Sequence, residues 1–234
     1  MTLLAGDLNK AGTPVPYPSA RAGRIMEMSA KTDDPFEESN SSEYHSYRLD
    51  KKVDLPNQHV KQLPLFNTSS AQTRKSYHYN YQKDPENVSV QFSTENSKKN
   101  NLGLPLPEGR IRLYKRESDQ LLILGEDAIN NTPIDETFNI NVGKAFDLKA
   151  ERSVMDQRRE GKNTEKLKIA VELRNRKNDD VDILVVEPLF RHRNARVLSS
   201  NFKVHQQNAE KIEFLVPLKA GEITTLIYEL IYTW

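Results

Sequence analysis

The sequence predicts an all-β protein whose main body is an antiparallel β-sandwich. Three observations carry that expectation. Many short segments alternate apolar and polar residues with a period of two. Turn-forming clusters such as "NRKNDD" and "LKAGE" separate them at regular intervals. No stretch of ten or more residues shows a convincing amphipathic 3.6-residue period; the best candidate, "ERSVMDQRREGKNTEKL", has too little apolar content and reads better as a solvated long hairpin.

Taken in order, residues 1–9 read as one strand left over from a missing N-terminal region. Residues 10–42 hold four of the 12 prolines, with Ala, Gly, Ser and charges between them, and read as a disordered linker. A short β-meander follows over 43–101, expected to cover part of the next domain. Its segments are "EYHSYRL", "HVKQLPLF", "RKSYHYNYQ" and "NVSVQFS". In the third, Tyr77, Tyr79 and Tyr81 point one way and Ser76, His78 and Asn80 the other.

Residues 102–234 form the C-terminal sandwich, immunoglobulin-like in its run of evenly spaced strands. "LPLPEGR" opens it, its prolines blunting the first edge. "GRIRLYKRE" and "QLLILGEDAI" flank a Ser-Asp turn and read as a hairpin. "EKLKIAVELRN" sets Leu167, Ile169, Val171 and Leu173 on one face, against Lys166, Lys168, Ala170 and Glu172. "DVDILVVEPLF" is apolar on both faces, which places it centrally, with Pro188 near its end. "EKIEFLVPL" and "EITTLIYELIYTW" close the chain.

Bulk properties bound the function. Of 234 residues, 36% are hydrophobic and 29% charged, low for one uniformly packed body. The 34 basic and 33 acidic side chains leave a net charge of +1, which argues against nucleic acid as a partner. Absence of cysteine excludes disulfides and thiol catalysis. No apolar run approaches the ~20 residues of a membrane-spanning helix. The first residues lack the form of a signal peptide, so the chain as given is expected in the cytoplasm.

The candidate sites stay open between structural and functional readings. Glu187 ends an apolar strand and is followed by Arg191, His192 and Arg193. A structural ion pair of Glu187 with Arg152 or Arg191 is the favoured reading; recognition of an anion by Arg191, His192 and Arg193 is the other. The aromatic run of Tyr77, Tyr79 and Tyr81 is either core or an interaction platform, such as one on which sugars stack. Glu126, Asp127, Asp135 and Glu136 lie close in sequence and cap turns, bind calcium or do acid–base work. The five histidines show no metal-ligand spacing, and no P-loop, GxSxG or GxGxxG motif occurs. No catalytic, metal-binding or cofactor-binding residue is therefore assigned. The expected function is a noncatalytic interaction or structural module; the alternatives are a carbohydrate or surface-polymer binder and a metal-dependent hydrolase.

One ordered set of motifs carries a family resemblance. It runs from "GLPLPEGRIRLYKRESDQLLILGEDAINNTPIDETFNINVGKAFDLKAER" through "LRNRKNDDVDILVVEPLF" to "YELIYTW". The chain over about 40–234 resembles the bacterial domain-of-unknown-function family 4139, the C-terminal domain of mucoidy-inhibitor-like proteins. The resemblance implies a fold but no catalytic residues, because the family has no established activity. It also implies an N-terminally truncated member beginning at an internal methionine, from relatives that are periplasmic or secreted. An unknown protein, or the missing N-terminal region, is then the expected partner.

Overall fold

The computed structural model describes residues 2–5, 36–41, 44–49, 54, 57, 63–189 and 194–234. Among these are fourteen strands: β1 (Thr2–Ala5), β2 (Phe36–Ser41), β3 (Tyr44–Leu49), β4 (Arg74–Asn80), β5 (Asn87–Glu95), β6 (Gly109–Glu117), β7 (Gln120–Ile129), β8 (Thr137–Arg159), β9 (Thr164–Asn175), β10 (Val181–Pro188), β11 (Asn194–Ser200), β12 (Val204–Gln207), β13 (Lys211–Leu218) and β14 (Ile223–Thr233). The only helical element among the described residues is a single 3₁₀ turn at Lys98–Asn100. No helix there is long and apolar enough to cross a membrane.

Contacts divide the chain into two compact units. One comprises Met1–Gln72, Glu95–Gly109 and Ile129–Thr137; the other comprises Thr73–Thr94, Arg110–Ala128 and Phe138–Trp234.

In the first unit, β3 lies between β1 and β2 in a three-stranded antiparallel sheet. Strand β2 lies inside the 10–42 stretch expected to be a linker. "FEESNS" has no apolar alternation of its own, and backbone pairing with β3 makes it a strand. The Tyr47 hydroxyl donates to the Pro105 carbonyl at 2.6 Å, and its ring meets Phe66 edge-on.

Asn96 organises the loops of this unit. It is fully buried. Its amide nitrogen donates to the carbonyls of Leu104, Thr132 and Pro133 at 2.8, 3.2 and 2.8 Å. Its amide oxygen accepts from the Gly103 backbone N–H. Its own N–H donates to the Glu136 carbonyl, and its carbonyl accepts from the Asp135 N–H. Every polar group of this residue is thus used, as buried polar groups require. Nearby, the Asn100 side chain pairs with both backbone groups of Gln72, as a strand neighbour would. The segment "LPLPEGR", expected to open the sandwich, joins this unit up to Gly109, with Leu106 bridging to Thr132.

The second unit holds a nine-stranded sheet in the order β11-β14-β9-β8-β5-β4-β10-β13-β12. Strands β4 and β5, expected in a separate meander, run through its middle. The pairing of β4 with β10 is the one departure from antiparallel order among the registers seen: Tyr77 lies beside Ile183 and Tyr79 beside Val185 in parallel. The sheet is therefore mixed. It folds over on itself, because Phe214 of β13 and Tyr228 of β14 stand one strand in from opposite ends of the order yet have ring centroids 4.8 Å apart. The result is an all-β fold of two facing layers.

Alternate residues fill the space between the layers. Leu167, Ile169, Val171 and Leu173 of β9 are buried, as their period of two predicts. So are Leu226, Tyr228, Leu230 and Tyr232 of β14, and Ile212, Phe214, Val216 and Leu218 of β13. Each such side chain contributes about 1.5–3 kcal/mol on burial. The segment "ERSVMDQRREGKNTEKL", too poor in apolar residues for a helix, forms the far end of the β8–β9 hairpin as expected, where Val154 pairs with Ile169 and a bulge follows before Asp156. There the Arg159 guanidinium lies 5.6 Å from the Trp234 ring centroid.

Strands β6 and β7 form a separate two-stranded sheet. Gly125 of β7 lies directly against β8: a Cβ there would stand 2.7 Å from Val142 Cα and 2.8 Å from its carbonyl oxygen. Both are backbone atoms, so the backbone must move to admit any side chain. Gly125→Ala is expected to cost about 2 kcal/mol. A thermal melt checks this, and an unchanged midpoint would contradict the contact.

Candidate functional site

The inward rows of β8 and β10 carry the main ionic feature. On β10 the row is Val181, Ile183, Val185 and then Glu187; on β8 it is Leu148, Ala150 and then Arg152. Period two alone brings two charges into positions where apolar residues precede them. The Arg152 guanidinium meets Glu187 through two parallel hydrogen bonds, Nε to Oε2 at 2.9 Å and Nη2 to Oε1 at 2.8 Å. Their side chains are only 12% and 3% exposed. The Tyr228 hydroxyl donates to Glu187 Oε2 at 2.6 Å. The same guanidinium stacks on Tyr81, 4.2 Å from the ring centroid.

The electrostatics follow from that arrangement. Burial raises the Tyr228 hydroxyl pKa well above its usual value, and the Glu187 carboxylate pushes it the same way. For Arg152, burial opposes the charge but hydrogen bonding and attraction to Glu187 outweigh it, so its pKa is raised. Tyr79 next to it is pushed up to about 12, chiefly by burial, while its hydroxyl donates to the Pro85 carbonyl. Tyr79 and Tyr228 thus stay neutral and Arg152 stays charged. An open groove of about 520 Å³, lined by Lys149, Glu151, Arg152 and Arg174 among others, lies beside the cluster where β5 begins.

Of the other residues singled out in the sequence, Arg191, His192 and Arg193 lie outside the described residues. Of the two partners weighed for Glu187, the described geometry shows Arg152. The tyrosine run does not present a platform. Tyr79 is buried, and Tyr77 and Tyr81 lie partly buried against the core. The four clustered carboxylates do separate local work. Glu126 bridges Arg110 and Arg112, whose hydrogen bond holds its pKa below the usual carboxylate range. Asp127 accepts from the Ala128 and Asn141 N–H groups. Asp135 and Glu136 serve through backbone groups that pair with Asn96. No three His, Asp or Glu side chains converge as a metal site among the described residues.

His78 lies on the outer face of β4, its Nε2 2.8 Å from Ser76 Oγ. Burial holds its pKa below 6.5; Lys211 and Lys83 add to this and Glu213 opposes it. The unfolded chain therefore takes up a proton near pH 6.5 that the folded chain refuses. Stability is unaffected above that pH and falls as pH drops through 6.5 toward the lower folded value. Urea titrations at pH 7.5 and 5.5 should show this loss, and His78→Gln should remove that part of it. An equal loss in the variant would contradict the assignment.

Two features were missed in the sequence. Tyr228 gave no signal, because its carboxylate partner is 41 residues away on the facing layer. The second is the surface of β7, where Leu121, Leu122, Ile123 and Leu124 are all exposed, Leu121 by 51% and Ile123 by 60%. Phe146 of β8 is 93% exposed. The run "LLIL" is legible in the sequence, but an apolar run on both faces of a strand ordinarily marks a buried strand. The chain matches no protein-family model, no curated protein and no solved structure.

Proposed function

We propose that this chain is a noncatalytic β-sandwich module that works by holding another macromolecule, as an interaction or structural part of a bacterial cell envelope. The observation that carries the reading is the run Leu121–Leu124, four consecutive exposed apolar residues on the β6–β7 hairpin. Exposed apolar residues are ordinarily scattered, and contiguous ones mark surfaces that another molecule covers. The Arg152–Glu187–Tyr228 cluster supports the same reading from the other side. Its charges satisfy one another inside the fold, which suits a scaffold. The envelope assignment rests on the resemblance to family 4139.

A photoreactive residue placed at Ile123, with Gln207 on β12 as a control position, tests the proposal in bacterial cells. The expected result is a discrete cross-linked adduct from Ile123 alone. Absence of any adduct from Ile123, or the same adducts from both positions, would overturn it.

A further inference from the structure

We infer that the β6–β7 hairpin accepts an added strand along its β6 edge, and that the strand is an extended acidic segment of another protein, alternating carboxylates with apolar side chains. The inference rests on the interaction-module reading and names the partner's chemistry.

The argument starts from hydrogen bonding. Among the described strands the hairpin is a two-stranded sheet, so β6 and β7 each have one outer edge with no described ladder partner. Two strands alone are marginal in water, and a third is the ordinary remedy. An extended peptide added at an edge gains main-chain hydrogen bonds, and alternate side-chain positions set its specificity.

Charge selects the edge and the partner. Strand β6 carries Arg110, Arg112, Lys115 and Arg116 against one acid, Glu117. Arg110 and Arg112 both reach Glu126, so they share a face with it; the period of two adds Tyr114 and Arg116 to that face. Three guanidiniums then stand against one carboxylate. Ile111 and Leu113, followed by Lys115, lie on the opposite face of β6. A strand beside β6 is therefore best matched when one of its faces presents carboxylates and the other apolar groups.

A second copy of this chain fits less well. Two β6 edges would bring their basic residues together. Two β7 edges paired about Ile123 would set Asp119 opposite Asp127 of the copy, a like-charge pair. A membrane fits poorly too, because the hairpin tip carries Glu117 and Asp119.

The test uses the full chain and a fluorescent synthetic hexapeptide alternating glutamate and valine, read by anisotropy. A lysine–valine hexapeptide is the control. The expected result is saturable binding of the acidic peptide, at least tenfold tighter than the basic one and weakened about tenfold between low and high salt. Arg116→Glu, an exposed change, should weaken it by tenfold or more. Arg196→Glu on β11 should leave it unchanged. Equal binding of the two peptides, no binding, or concentration-dependent self-association blocked by Arg116→Glu would each overturn the inference. A cross-link from Ile123 alongside peptide failure would leave the interaction-module reading standing and remove only the acidic strand.

Discussion

Replacing Glu187 with alanine is expected to lower the unfolding free energy by about 3–5 kcal/mol. The cost comes from what remains. The Arg152 guanidinium keeps its charge in a site where its side chain is 12% exposed, and Tyr228 loses the acceptor of its 2.6 Å hydrogen bond. Desolvation of the charge, already met in the folded state, is then no longer offset. Urea denaturation followed by Trp234 fluorescence measures the difference. Two further variants separate the causes. Tyr228→Phe keeps the ion pair and should cost only about 1 kcal/mol. Changing both partners, Arg152→Met with Glu187→Leu, should recover most of the loss, because an apolar pair needs no compensation there. A Glu187→Ala cost below about 1 kcal/mol would mean that water reaches the cluster and screens it.

Asn96→Ala should be the most damaging change in the other unit, at about 3 kcal/mol or more. Three carbonyls and the Gly103 N–H lose their partner at a fully buried position. Asn96→Asp is the sharper variant. It keeps the shape but turns an amide donor into a carboxylate facing carbonyl oxygens. Its folded-state pKa must then be raised, so this variant should regain stability as pH falls, opposite in sign to the His78 effect. Hydrogen exchange at Gly103 and Asp135, read across the melting transition, reports whether the loops have separated. Protection unchanged from the parent chain would show that the side chain is not what joins them.

Much of the sheet was legible because its cause is local. Strand β9 buries Leu167, Ile169, Val171 and Leu173 in the alternation its sequence spells out, and the same rule carried Glu187 and Arg152 inward. Other features have causes spread over the chain. Asn96 sits in "TENSKKNNLG", a polar stretch in which nothing separates one asparagine from the next; what makes it a staple is the convergence of residues 104, 132 and 133. Strand β2 is a strand because β3 lies beside it. For "LLIL" the local rule pointed the wrong way, since two apolar faces ordinarily mean burial, and only the sheet order shows that nothing else joins the hairpin among the described strands.

The parallel pairing of β4 with β10 bears on how the chain comes off the ribosome. Tyr77 is made roughly a hundred residues before Ile183, its neighbour in the finished sheet. At about 5–20 residues per second, that interval is on the order of ten seconds. Throughout it, β4 has only β5, then β8 and β9, on its completed side of the sheet, and the buried ring of Tyr79 lacks Val185 beside it. The nascent chain therefore passes through a stage in which one layer waits, open, for a strand still to be translated. Slow codons placed before Val181 would lengthen that stage, and chaperones that shelter apolar strands would have their greatest effect within it.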